Sequence, residues 1–167
     1  MGIVWGHQLK VDGPAKDKVY PGESAGPEDL FELAEEYRRA AEVALRLCQR
    51  GRPVSTAPFR LLTIHAIELY LNALLRSSGH SATCIRGMQH NLALRLEAAE
   101  KSGPLLKIKT RQHLTQVSVS KEYITSRYTT EADQKSQLNR LEASLAEVSS
   151  KVRKRLEAGN IKVALRA

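Results

Sequence analysis

Apolar residues along this chain recur at intervals of three and four, the spacing that places side chains on one face of an α-helix. From Pro27 onward, Leu30, Leu33, Ala34, Tyr37, Ala40, Ala41, Ala44, Leu45 and Cys48 make one such face. Pro27 suits a first helical position, Glu28 and Asp29 favour the positive end of the helix dipole, and Gly51 with Pro53 supplies a stop. A helix over 28–50 is therefore predicted. The next segment, 58–78, is apolar almost all round through Phe59, Leu61, Leu62, Ile64, Ala66, Ile67, Leu69, Leu71, Leu74 and Leu75. That pattern suits the central, buried element of a bundle. Its polar residues His65, Glu68, Asn72 and Arg76 follow one another at steps of three and four and share one narrow stripe. The stripe reads either as an exposed seam with an internal Glu68–Asn72–Arg76 network or as the polar wall of a ligand site or dimer cleft.

Glycine and proline punctuate the rest of the chain. After the loop "SSGHSATCIRG" a third helix is predicted from about 89 to 102, stopping at Gly103-Pro104. A fourth begins at Pro104 and carries Leu106, His113, Leu114, Val117 and Ile124, although "TQVSVSKEY" has weak helix propensity and leaves its far end open. The stretch "TSRYTTEAD" reads as a loop in which Thr130 or Asp133 caps a last helix over 132–158, with Leu138, Leu141, Leu145 and Val148 on its apolar side. Residues 1–27 hold five glycines and three prolines without a sustained period and read as a flexible extension. The expected fold is all-α: an up-down bundle of about five helices over 28–158, with an irregular extension before it and a tail over 159–167. A chain of 167 residues is long enough to bury such a core without disulfides or a metal.

Composition agrees with helices rather than sheet, since leucine and alanine are abundant and aromatics make up only 5%. Net charge is +8 and unevenly placed. Residues 28–50 carry four basic and six acidic side chains, whereas 51–103, 104–130 and 131–167 are each net positive. A polyanion or an acidic protein is a fitting partner for that half, and solvated helix faces are the plainer explanation. Cys48 and Cys84 have no paired spacing and follow no signal peptide, which favours a reducing, cytoplasmic setting. The most apolar stretch, 61–75, is interrupted by Thr63, His65, Glu68 and Asn72, so no membrane association is expected.

Few enzyme chemistries survive inspection. No glycine-rich phosphate loop sits between a strand and a helix. His80 and Cys84 alone have close ligand spacing, too little for zinc, and neither a metal nor another cofactor is expected. Cys84 lacks any flanking motif that would make it a nucleophile and reads as a structural thiol. The cluster "KVRKR" at 151–155 suits the negative end of the last helix as well as it suits nucleic acid.

Three runs in order, "LLTIHAIELYLNALLRSSGH", "GMQHNLALRLEAAEKSG" and "YITSRY", cover roughly 28–130 together with the first helix and resemble the HEPN superfamily, named for nucleotide binding in higher eukaryotes and prokaryotes. Members of that family show a His-Ala-x-Glu-Leu helix, a glycine-rich break, a His-Asp-Leu helix start and a later Arg-Tyr-Pro. The matching positions here are His65, Ala66, Glu68 and Leu69, then His90, Asn91 and Leu92, then Arg127 and Tyr128. Asn72, Asn91 and Thr129 stand where lysine, aspartate and proline are frequent.

The resemblance implies a homodimeric helical domain that binds RNA, a nucleotide or a protein, among the last a nucleotidyltransferase-type partner. Many members are metal-independent ribonucleases, often toxins, in which an Arg and a His with four to six residues between them meet their copies across the dimer. Arg86 and His90 are one residue short of that spacing, and Arg111 with His113 fits worse. The preferred expectation is a non-catalytic dimeric module that engages its ligand through His65, Glu68, Asn72, Arg76, Lys107, Lys109, Arg111, Arg127 and Tyr128. His90 then caps or packs the third helix, with Arg86 in the loop before it. The alternative is an endoribonuclease using Arg86 and His90 as its catalytic pair.

Overall fold

The helix from Ala57 to Ser77 organises the structure, because its side chains are buried around nearly the whole circumference. The structure is a computed structural model and describes residues 20, 22–103, 105–128 and 136–159. The extension before Tyr20, the helix stop and start expected at Pro104, the cap at Thr130 or Asp133, Thr129 and the tail beyond Gly159 lie outside the described residues. Within them the chain is all-helical: α1 (Pro27–Arg46), α2 (Ala57–Ser77), α3 (Ala82–Gly87), α4 (Leu92–Ala99), α5 (Ile108–Val119), α6 (Glu122–Tyr128) and α7 (Leu138–Ala158). Helices α1, α4, α6 and α7 surround α2. The pairs Phe31–Tyr70 and Tyr37–His65 show that α1 and α2 run antiparallel. Similarly, α5 runs antiparallel to α7, with Thr110 facing Glu147 and His113 facing Ser144. None of these helices is long and apolar enough to cross a membrane.

Local chemistry explains where the helices depart from the pattern in the sequence. Helix α1 starts at Pro27, where the Asp29 carboxylate accepts the Gly26 amide at 2.8 Å, but it ends at Arg46 instead of 50. The Ser55 hydroxyl takes the Gln49 amide at 2.8 Å, and Gly51, at φ +78°, reverses the chain. The buried face is also turned slightly from the expected one. Phe31 and Glu35 are inside, whereas Leu33 is 44% exposed and Ala40 faces solvent. The supposed loop at 77–87 contains α3, capped by the Ser81 hydroxyl on the Cys84 amide. The expected third helix is shorter, and Asn91 rather than His90 caps it by accepting the Leu94 amide at 3.1 Å. The fourth breaks in two at Ser120-Lys121, where the chain relaunches as α6.

Two buried charge clusters tie the outer helices to α2. Arg60 donates to Glu122 at 2.5 Å and to the Ser136 carbonyl at 2.7 Å, joining α2, α6 and the approach to α7. Glu35 on α1 accepts from the Tyr70 hydroxyl at 2.5 Å, from Arg38 at 2.8 Å and from Arg153 of α7 at 3.0 Å. Burial pushes the Glu35 carboxyl up, but the bonds from Arg38 and Tyr70 and the charge of Arg153 outweigh it and hold it below the usual range. Burial and Glu35 push the Tyr70 hydroxyl up, so it stays a donor.

The Arg60–Glu122 pair generates a stability prediction, since removing one partner leaves the other charge buried alone. Arg60→Met is expected to cost about 3–5 kcal/mol, and adding Glu122→Leu to recover most of that loss, both read by urea unfolding. A second prediction concerns His65 and His113. Burial pushes both imidazoles below their ordinary 6.5, in His113 with help from Arg140. The unfolded chain therefore binds more protons near that value, so their contribution is complete above pH 6.5 and is lost as pH falls through it towards the lower folded pKa. His65→Phe with His113→Gln should flatten the decline in melting temperature between about pH 7 and pH 5.

Candidate functional site

The polar stripe of α2 is not a seam in solvent. Glu68 is buried, and its carboxylate accepts from the guanidinium of Arg95 on α4 at 3.0 Å, while Arg95 also donates to Asn72 at 2.7 Å. Arg95 is itself 2% exposed and bonds the Met88 and Asn91 carbonyls at 3.3 Å, so it stitches the α3–α4 turn to α2. The expected Glu68–Asn72–Arg76 network is thus corrected: Arg95 takes the place of Arg76. Arg76 turns away to the carbonyls of Ala25 and His80. The signal for Arg95 was present in the sequence, because a basic residue between Leu92, Leu96 and Ala99 on an apolar face needs a buried counter-charge.

The second oxygen of Glu68 holds His90. The His90 Nδ1 lies 3.2 Å from it, and the ring stacks on Tyr123 of α6 with centroids 4.2 Å apart. Arg127 lies over the same Tyr123 ring at 4.0 Å. His65 completes the group from below, packed edge-on against Tyr37 with its Nδ1 buried and without a hydrogen-bond partner. Burial lowers its pKa, Glu68 opposes that, and His90 and Arg127 reinforce it. Residues separated by some sixty positions, Glu68, His90 and Arg127, therefore meet around one tyrosine that no motif singled out. Tyr128 is 79% exposed and takes no part.

Arg86 is not part of this cluster. It sits on α3 with its guanidinium 4.7 Å above the Tyr20 ring, whereas His90 faces Glu68 and Tyr123. Beside His90 lies a cleft of about 280 Å3 between the α3–α4 and α5–α6 turns. Gln89 and Lys121 line it and are the only non-glycine residues with positive φ among the described residues, at +48° and +51°. Each left-handed residue costs about 1–2 kcal/mol relative to glycine at such a turn.

The basic residues part company in the same way. Lys107 and Lys109 line an open groove of about 810 Å3 between the start of α5 and α7, together with Lys151 of the KVRKR cluster and with Arg140, which no sequence pattern had marked. Glu147 closes its floor, accepting the Lys107 amide at 2.7 Å and the Thr110 hydroxyl at 2.8 Å. Partial burial raises the Glu147 carboxyl, but those two bonds prevail and keep it below the usual range. Arg111 instead pairs with Glu100 at 2.6 Å, and Glu100 in turn accepts the amides of Leu105 and Leu106. It braces α5 on α4.

Cys84 is exposed, and His80 spends its Nδ1 on the Leu75 carbonyl at 3.2 Å. Among the described residues no cluster of three or more His, Cys, Asp or Glu side chains is placed to hold a metal ion. Compared with family models, curated proteins and solved structures, the chain matches none.

Proposed function

We propose that this protein is an RNA-binding module of HEPN type, working as a homodimer, and that it grips the phosphate backbone without cleaving it. One observation carries the reading: Lys107, Lys109, Arg140 and Lys151 converge on a single open groove whose one carboxylate, Glu147, already has both oxygens engaged by α5. Cations grouped along a channel, with their counter-charge committed elsewhere, suit a polyanion that exchanges condensed counterions for lysine and arginine. A width open to solvent suits a strand better than an enclosed metabolite. Cleavage by Arg86 and His90 has no such support, because the two side chains address different neighbours.

Binding of single-stranded RNA, followed by fluorescence anisotropy across a salt series, tests the groove. Four phosphate contacts predict a slope of log affinity against log salt of about −3, and Lys107→Ala with Lys109→Ala should halve it. Arg140→Ala and Lys151→Ala should act alike, whereas His90→Ala should leave the slope unchanged. End-labelled RNA incubated with the protein in EDTA should remain intact. A salt-independent affinity, or one untouched by all four substitutions, sinks the groove as the RNA site.

A further inference from the structure

Helix α1 carries an apolar seam that the bundle does not cover. The three-and-four period sets Leu33, Tyr37 and Ala40 beside Ala34, Ala41 and Ala44, but packing on α2 buries only the last three. Tyr37 is half-buried against His65, and Ala40 faces solvent. Leu33, Val43 and Leu47 are exposed by 44%, 57% and 68%. Leu33, Ala40 and Leu47 recur every seventh residue, with Tyr37 and Val43 on either side of Ala40. On a helix these residues form one stripe about 21 Å long, with the spacing of a coiled-coil seam.

The seam is symmetric about Ala40. Turned end for end, it sets Leu33 on Leu47 and Tyr37 on Val43, so an antiparallel second copy brings large side chains together and alanine onto alanine at the axis. A small residue there lets the two helices approach to about 8–10 Å. Charge along one edge of the seam obeys the same symmetry. Glu32, Glu36, Arg39 and Arg46 all face solvent and follow that edge, acidic in its first half and basic in its second. An antiparallel copy places the partner's Arg46 between Glu32 and Glu36, whereas a parallel copy would set acid on acid and base on base. Arg39 comes near its own copy at the axis, where each is already neutralised by Glu36 of its own helix.

From these features we infer that α1 is a self-pairing helix: two copies of this chain associate through their seams, antiparallel, about a two-fold axis at Ala40. This pairing rests on the homodimeric reading proposed for the protein and specifies the face that forms the dimer. Helix α1 carries neither Arg86 nor His90, so the contact differs from one built to join that pair to its copies. An isologous contact closes on itself and covers both seams at once. One helix from each subunit offers less area than a standard interface, so the dimer should dissociate in the micromolar range.

Sedimentation velocity on the intact chain, from low-micromolar to submillimolar concentration, tests the pairing, with circular dichroism melts as the control for folding. A reversible monomer–dimer equilibrium is expected. Ala40→Arg and Leu33→Glu should each raise the dissociation constant at least about tenfold, without lowering the melting temperature where the chain is monomeric. Glu32→Arg alone and Arg46→Glu alone should each weaken self-association. Mixing those two variants should restore it, because only the mixed pair sets opposite charges together on both sides of the axis. A dimer undisturbed by Ala40→Arg and Leu33→Glu overturns the seam and leaves a homodimer formed through another face. Mixed variants that associate no better than either alone overturn the antiparallel register. A chain that stays monomeric throughout leaves the seam to another protein's helix and overturns the homodimer as well, while the basic groove is judged separately by its salt slope for RNA.

Discussion

Helix α2 is buried around most of its circumference, and three of its polar side chains are each answered by a partner from a neighbouring helix. Arg60 is answered by Glu122 of α6, Glu68 by Arg95 of α4, and the Tyr70 hydroxyl by Glu35 of α1, which Arg153 of α7 completes. Apolar packing brings these helices together at little cost in precision, because hydrophobic contact is non-directional. The buried polar pairs supply direction. A guanidinium left without its carboxylate inside the bundle costs several kcal/mol, so sliding α4 or α6 along α2 by one turn is penalised far more than an apolar interface alone would penalise it.

The candidate sites inherit their geometry from these pairs. Arg95 anchors the α3–α4 turn through two backbone carbonyls and so places His90 against the remaining oxygen of Glu68. Glu122 sets the start of α6 and with it the neighbouring Tyr123, the ring on which His90 and Arg127 both rest. Glu147 works similarly at the other end of α5, locking the first turn of that helix to α7 so that lysines from one and basic residues from the other border a common groove. In each case a carboxylate with both oxygens occupied serves as the hinge pin.

Departures from the sequence pattern fall mostly at turns. The break at Ser120-Lys121 and the left-handed Gln89 fall on non-glycine residues, which is why the fourth helix was expected to carry on to Ile124 and the third to begin near 89. Helix α3 went unseen because six residues carry too little period to register, and its cap, Ser81, sits inside a stretch rich in other turn formers. Arg76 and Arg95 exchange roles for a different reason. Spacing along one helix identifies which residues share a face, but it is silent on which neighbour that face meets.

Sequence by itself determined the helical class, the central position of α2 and the grouping of positive charge after α1, because each follows from composition and from the three-and-four period of apolar residues. It also drew attention to Glu68, His90, Lys107 and Lys109 individually. Only the tertiary structure decided how they combine: His90 with Glu68 and Tyr123, Lys107 and Lys109 with Arg140 and Lys151, Arg111 with Glu100, and Arg86 with Tyr20. Partnership between helices depends on which faces pack and at what offset. That is settled by the joint burial of several segments at once, a property no single stretch of sequence contains.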